Sequence, residues 1–218
     1  MVIVEDRYLT GYRQEGNKTE KIGNKEFKKH TLGLSGDELE HTLRGCQEDL
    51  RHHKEALYKS FYGYLKGVVI RYVSDYHFAE ELVNDSFIKI FSHISSFNAL
   101  GQHGDITTSF KAWAAKIASR TAIDFLRKKK IDFGRDDISE MHTAPILVPM
   151  QTSEAKDILK LLNELPKTQK AIFNLYEIEG FTHQEIAHLL EIPENVSRSY
   201  LSRAKNKLKS LYNETFRT

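Results

Sequence analysis

Apolar residues recur at helical spacing along most of this chain, and no stretch shows the strict alternation of a strand. From about Gly36 to Tyr72 the spacing predicts two helices, first around Leu39, Leu43 and Leu50, then around Leu57, Phe61, Leu65 and Val68. Residues 79–94 carry a stripe of Ala79, Leu82, Val83, Ser86, Phe87, Ile90 and Ile94. The opposite face holds Glu80, Glu81, Asn84, Asp85, Ile88 and Lys89. Ser95 to Ser109, with Gly101 and Gly104, reads as a loop. A long helix follows from about Phe110 to Lys130, with Phe110, Trp113, Ala114, Ile117, Thr121 and Phe125 on its inner stripe. Residues 131–153 hold two prolines, a glycine and scattered acids, and read as a flexible linker. The block 154–213 is helical again and forms a second, smaller domain, ahead of a short tail at 214–218. Residues 1–35 show no period and read as a flexible N-terminal extension. The expected fold is all-α, with two helical domains, 36–130 and 154–213.

The most pointed local pattern lies in the second domain. Gly180 suits the position just past a helix end. Thr182 and Glu185 form a T-x-x-E capping box that opens a short helix burying Ile186, Ala187 and Leu190. A turn through Glu191 and Ile192 leads to Pro193, which suits the first position of a last helix burying Leu201, Ala204, Leu208 and Leu211. A short helix, a tight turn and a helix with a basic exposed face make a helix-turn-helix, whose second helix fits a major groove. That helix exposes Asn195, Arg198, Ser199, Ser202 and Arg203. Arginine can donate two bonds to one guanine, the commonest specific base contact. An ordinary helical hairpin without DNA is the other reading of the same residues.

Composition changes this picture little, but charge distribution sharpens it. The 218 residues are 40% hydrophobic and 28% charged with a net charge of +2, as expected of a soluble protein. Residues 111–135 hold eight Lys/Arg against two Asp, and residues 195–217 hold six Lys/Arg against one Glu. Two separated basic patches suit two contacts along one polyanion, or two solvated helix faces. The single cysteine, Cys46, leaves no internal disulfide and fits a reducing compartment. With no basic-then-apolar leader and no apolar run of about 20 residues, a cytoplasmic protein without membrane insertion is expected.

The segment LNELPKTQKAIFNLYEIEGFTHQEIAHLLEIPENVSRSYLSRAKNKLKSL resembles region four, the promoter-reading domain of extracytoplasmic-function (ECF) sigma factors. The shared elements are L-P-x-x-Q at 165–169, E-G-[FLY]-[ST]-x-x-E-I-A at 179–187 and S-R-A at 202–204. Upstream, AEELVNDSFIKIF at 79–91 resembles the polymerase-binding helix of region two, and FKAWAAKIASRTAIDFLRKKK at 110–130 the adjoining promoter-melting helix. The chain departs where many members have I-A-R-N, with Ile117, Ala118, Ser119 and Arg120. It departs again at Val196-Ser197, where a Thr-Val pair is frequent.

The resemblance implies a non-catalytic subunit that binds core RNA polymerase and recognises the −10 and −35 elements of promoter DNA. Core polymerase would meet Glu81, Asn84, Asp85 and Ile88. The −10 element would meet Lys116, Arg120, Arg127 and Lys128, with Phe97 stacking a base and Asn98 or Asp105 bonding a base edge. Trp113 could stack on DNA or sit in the core. The −35 element would meet Arg198, Ser199 and Arg203, with Tyr200 as a further candidate. The resemblance leaves room for an anti-sigma factor as a partner and for a free monomer, and implies no cofactor. An autonomous helix-turn-helix regulator is the alternative, but it leaves 79–130 unexplained. A metal enzyme is the reading His41, Cys46, His52 and His53 would offer, but their spacing fits no standard zinc site, so no metal is expected.

Overall fold

The computed structural model of the protein describes residues 34–73, 75–98, 105–129, 133 and 160–216. Among them every regular element is helical. Helix α1 (Gly36–Gln47) starts at a capping box in which Ser35 Oγ accepts from Glu38 N–H and Glu38 accepts from Ser35 N–H. Helix α2 spans Arg51–Val69, α3 spans Tyr76–His93 behind an Asp75 cap, and a 3₁₀ turn, Ile94–Ser96, closes α3. Helix α4 spans Ile106–Lys128. These four pack around one core, where Leu57, Leu65, Val68, Phe87, Ile90 and Phe110 are almost wholly buried. Gly45 allows α1 and α2 to close up, since a Cβ there would fall 2.0 Å from the His53 ring.

The second domain begins with helical residues 160–163, then α5 (Lys167–Phe173), which runs into a π-helical turn at Asn174–Ile178. Gly180 reverses the chain at φ 69°. Helix α6 (His183–Leu190) follows with its expected capping box, Thr182 Oγ1 accepting from Glu185 N–H at 3.2 Å. Glu191 ends α6 in the left-handed region, and α7 runs Glu194–Phe216. His183 Nδ1 lies 2.9 Å from Ser197 Oγ and its ring stacks on Tyr176 at 4.4 Å, which ties α6 to α7.

The whole stripe expected on 79–94 is buried. Elsewhere the structure corrects the sequence expectation. Leu50 is 39% exposed, because it is the residue ahead of α2 rather than part of a helix face. Helix α4 begins four residues earlier than expected, since Asp105 caps it by accepting from Thr107 N–H and Thr108 N–H. Pro193 stands one residue ahead of α7, its carbonyl accepting from Val196 and Ser197. Helix α7 extends into the expected tail, to Phe216. Ala187, Leu208 and Leu211 are only partly buried, as are Ile117 and Phe125 on α4. The linker 131–153 and the extension 1–35 fall almost wholly outside the described residues.

The two domains share a boundary. Ile123 of α4 and Phe133 are buried in the same cluster as Ile172, Leu175, Phe181, Ile186 and Leu190, with Tyr72 and Leu126 packed against it. Helix α4 therefore serves two cores.

Two consequences are measurable. Phe110 is fully buried and meets Phe61 edge-on at 4.8 Å, so Phe110→Ala should lower unfolding stability by about 3–5 kcal/mol in denaturant titration. Burial, and then the nearby Arg198 charge, push the His183 pKa below its ordinary value, so the folded state favours the neutral ring. Its stabilisation is complete above the ordinary histidine pKa of about 6.5 and is lost as pH falls through the lower folded value. Thermal melts should fall on acidification, and the dependence should weaken in His183→Gln.

Candidate polymerase and promoter interfaces

Helix α3 turns one face inward and leaves Glu81, Asn84, Asp85 and Ile88 outside. Spacing of three and four residues puts them on one surface. Ile88 is 61% exposed, the most exposed large apolar side chain among the described residues. Asn84 is fixed by Tyr58, whose hydroxyl donates to Asn84 Oδ1 at 2.9 Å, and Glu81 lies 3.3 Å from His77 Nε2. The result is an acidic patch around one exposed branched aliphatic, which suits a basic, partly apolar protein surface.

Helix α4 presents Lys116, Arg120, Ile123 and Arg127 at positions i, i+4, i+7 and i+11, one face of a helix. Lys128 is exposed beside them. The cations are engaged by the second domain. Lys116 Nζ and the Arg120 guanidinium lie 5.0 and 5.4 Å from the Phe181 ring centroid. Arg120 is 3.9 Å from Glu185, and Arg127 donates to Leu189 O at 3.1 Å and pairs with Glu191 at 3.1 Å.

The aromatic candidates sit differently from their expectation. Phe97 is packed against the core, edge-on to Phe110 at 5.5 Å and 5.3 Å from Trp113. Its ring face is thereby taken up in packing rather than offered to a base. Trp113 is half-buried in the same aromatic group. Asp105 is spent on capping α4, and the Thr107 N–H bond above all holds its carboxyl below the usual range. It accepts from the helix rather than from a base edge. Asn98 is exposed just beyond the 3₁₀ turn, while residues 99–104 lie outside the described residues.

On α7, Arg198 and Ser199 are exposed together near the helix start, with Arg203 one turn on. Arg198 pairs with Glu194 at 2.5 Å, so a base contact requires exchanging that partner. The Arg203 guanidinium lies 5.4 Å from the Tyr200 ring centroid. Tyr200 is 8% exposed and belongs to the second core, so it supports the reading helix from within rather than projecting from it. Ser197 is fully buried against His183, which seats α7 on α6 through a polar contact where an apolar residue is frequent.

Sequence reasoning missed the group that joins the domains. Arg71, just after α2, pairs with Glu179, whose side chain is only 2% exposed, and Asn174 Nδ2 donates to Arg71 O at 3.3 Å. Burial raises the Glu179 pKa while the Arg71 charge opposes it. The π turn places Asn174 and Glu179 on the side facing Arg71, and no single-helix periodicity signals a contact across 108 residues. His41, His52 and His53 do cluster, with the His41 and His53 rings edge-on at 4.9 Å and the His52 and His53 rings tilted at 4.1 Å. Among the described residues no set of three His, Cys, Asp or Glu side chains could hold a metal ion, and no helix is long and apolar enough to cross a membrane.

Comparison with known proteins adds the family. Residues 57–131 match sigma-70 region 2, and residues 155–208 match sigma-70 region 4. The ECF RNA polymerase sigma factor SigM of Bacillus subtilis is 26% identical over 162 residues, spanning 73% of this chain and 94% of SigM. The ECF RNA polymerase sigma-E factor of Haemophilus influenzae is 26% identical over 157 residues, spanning 66% of this chain and 79% of the relative. A solved structure of the sigma factor RpoE with the anti-sigma factor NepR, from Bartonella quintana, is 24% identical with a TM-score of 0.46, covering 68% of this chain and 89% of that one. The region-two match accounts for the block 79–130 that a free-standing helix-turn-helix regulator leaves unexplained. Since both regions match, in order and over more than half its length, the chain belongs to the sigma-70 family as an ECF sigma factor, which binds core RNA polymerase and directs initiation at promoters.

Proposed function

We propose that this sigma factor divides its work among three helix faces. The outer face of α3, through Glu81, Asn84, Asp85 and Ile88, docks on core polymerase. The face of α4 carrying Lys116, Arg120, Arg127 and Lys128 holds the −10 element, with Trp113 beside it. Phe97 and Asn98, just beyond the 3₁₀ turn that closes α3, would border an unstacked base. The start of α7, through Arg198, Ser199 and Arg203, reads the −35 element. Tyr200 contributes by holding that helix.

The observation that carries this reading is Ile88, 61% exposed among acidic residues and on the helix next to the basic one. An exposed branched aliphatic on an otherwise acidic face gains little in water and suits a protein partner. All of these contacts act by binding, so the protein is read as non-enzymatic. It is placed in the cytoplasm, where bacterial polymerase and chromosome are found. It acts without a cofactor and is a monomer when free. The family resemblance adds an anti-sigma factor as a further partner.

Run-off transcription with a bacterial core polymerase on a library of random promoters tests the whole proposal. Initiation should appear only with the protein, at promoters sharing two motifs. Ile88→Ser should weaken core binding by about tenfold, equivalent to about 1.4 kcal/mol, with an unchanged thermal melt. Failure of core polymerase to bind the protein would refute the assignment of α3. On the winning promoters, Arg198→Ala should cost about 1–3 kcal/mol and relax preference at one upstream position. An equal loss on all sequences would make Arg198 a phosphate contact instead.

A further inference from the structure

We infer that His183 and Ser197 form a positioning pair that sets the rotation at which α7 presents Arg198 and Ser199 to the −35 element. This rests on the proposed reading role of α7. Ile186 and Leu190 of α6 share the second core with Leu201 of α7. Apolar burial of this kind is non-directional, so it brings the two helices together without fixing how α7 is turned about its axis. The His183–Ser197 contact is directional. His183 Nδ1 lies 2.9 Å from Ser197 Oγ, and Ser197 is wholly buried. Turning α7 out of this register would leave a hydroxyl and a ring nitrogen buried without each other, which is costly.

The imidazole is itself held from its other side, so it resists following α7. Its ring stacks on Tyr176 of the π turn at 4.4 Å. The neighbouring Glu177 pairs with Lys205 of α7 at 2.6 Å, and Lys205 Nζ stands 6.0 Å from the Tyr176 ring centroid. The π turn, the start of α6 and α7 thereby hold one another around His183. Ser197 is the fourth residue of α7. Successive residues of a helix turn by about 100°, so a Ser197 side chain fixed inward decides where Arg198 and Ser199 point. Both of these are exposed.

The test is run-off transcription by the full chain with a bacterial core polymerase, on promoters selected from the random library. Each promoter is compared with a copy whose −35 element is scrambled and whose −10 element is kept. The quantity read is the ratio of initiation on the two. Ser197→Ala should lower this ratio at least about threefold, and His183→Ala likewise. His183→Asn, whose side-chain amide can meet Ser197 where Nδ1 does, should keep it within about twofold of the parent. Ile186→Val trims the same core without touching the pair, so it should lower the thermal melt and leave the ratio unchanged. The inference is overturned by an unchanged ratio in Ser197→Ala. It is equally overturned if His183→Asn falls as far as His183→Ala, or Ile186→Val as far as Ser197→Ala, since the pair would then be ordinary packing. Arg198→Ala separates this outcome from the reading role of α7. If it lowers the ratio while Ser197→Ala does not, α7 still reads the −35 element and only the positioning role falls. If the parent itself shows no preference for the intact −35 element, the reading role of α7 falls and the positioning role with it.

Discussion

Helix α4 has to satisfy two cores at once, and most of the molecule follows from that. Its fully buried stripe towards the first core is made of small residues, Ala114, Ala115, Ala118 and Ala122, with Phe110, while the larger Trp113, Ile117 and Phe125 pack at its edge. Small side chains let α2 and α3 approach closely, and the bulk of the first core comes from their Leu, Val and Phe residues. Adjacent positions on the same helix, Ile123 and Leu126, belong to the second core. The helix is consequently buried over a wider arc than an amphipathic surface helix would be. Among its exposed positions are Lys111, Arg120 and Lys128, and the second domain partners Arg120.

Local patterns were readable in the residues and non-local ones were not. The α3 stripe was legible because every third or fourth residue is apolar and all of them end in one core. The Thr182–Glu185 box and Gly180 were legible because both are answers to backbone demands inside a few residues. Tyr200 stands three after Ser197 and four before Ala204, so its own spacing places it on the inner face. The contrary expectation came from weighing residue type over period. Asp105 ahead of Ile106-Thr107-Thr108 is likewise an N-cap signal, hidden by drawing the loop too long. Phe97 carries no period at all, and only the arrival of Phe110 and Trp113 gives it a place.

The two basic patches illustrate how one feature can support two readings. As sequence, they suit either solvated faces or a polyanion. In the fold, the α4 patch is neither bare nor idle, since carboxylates, a carbonyl and an aromatic face partner its cations. The α7 patch is arranged differently. Arg198 pairs within its own helix, and Lys205 pairs with Glu177 of the adjoining turn at 2.6 Å. Exchanging an exposed helical ion pair for a DNA contact costs little. The α4 cations are partnered instead by groups of the other domain.

The Arg71–Glu179 pair decides how easily the two domains part. A carboxylate at 2% exposure is costly to bury, and it is tolerated because a guanidinium sits beside it. Removing either partner would leave the other uncompensated, an effect of about 3–5 kcal/mol for a buried pair. Opening the interface in water is different, because both charges regain their hydration together and the desolvation cost is returned. Such a pair specifies the partner surface strongly while contributing modestly to the net stability of the contact. The apolar seam of Ile123, Leu126 and Tyr72, continuous with the second core, supplies the non-specific part.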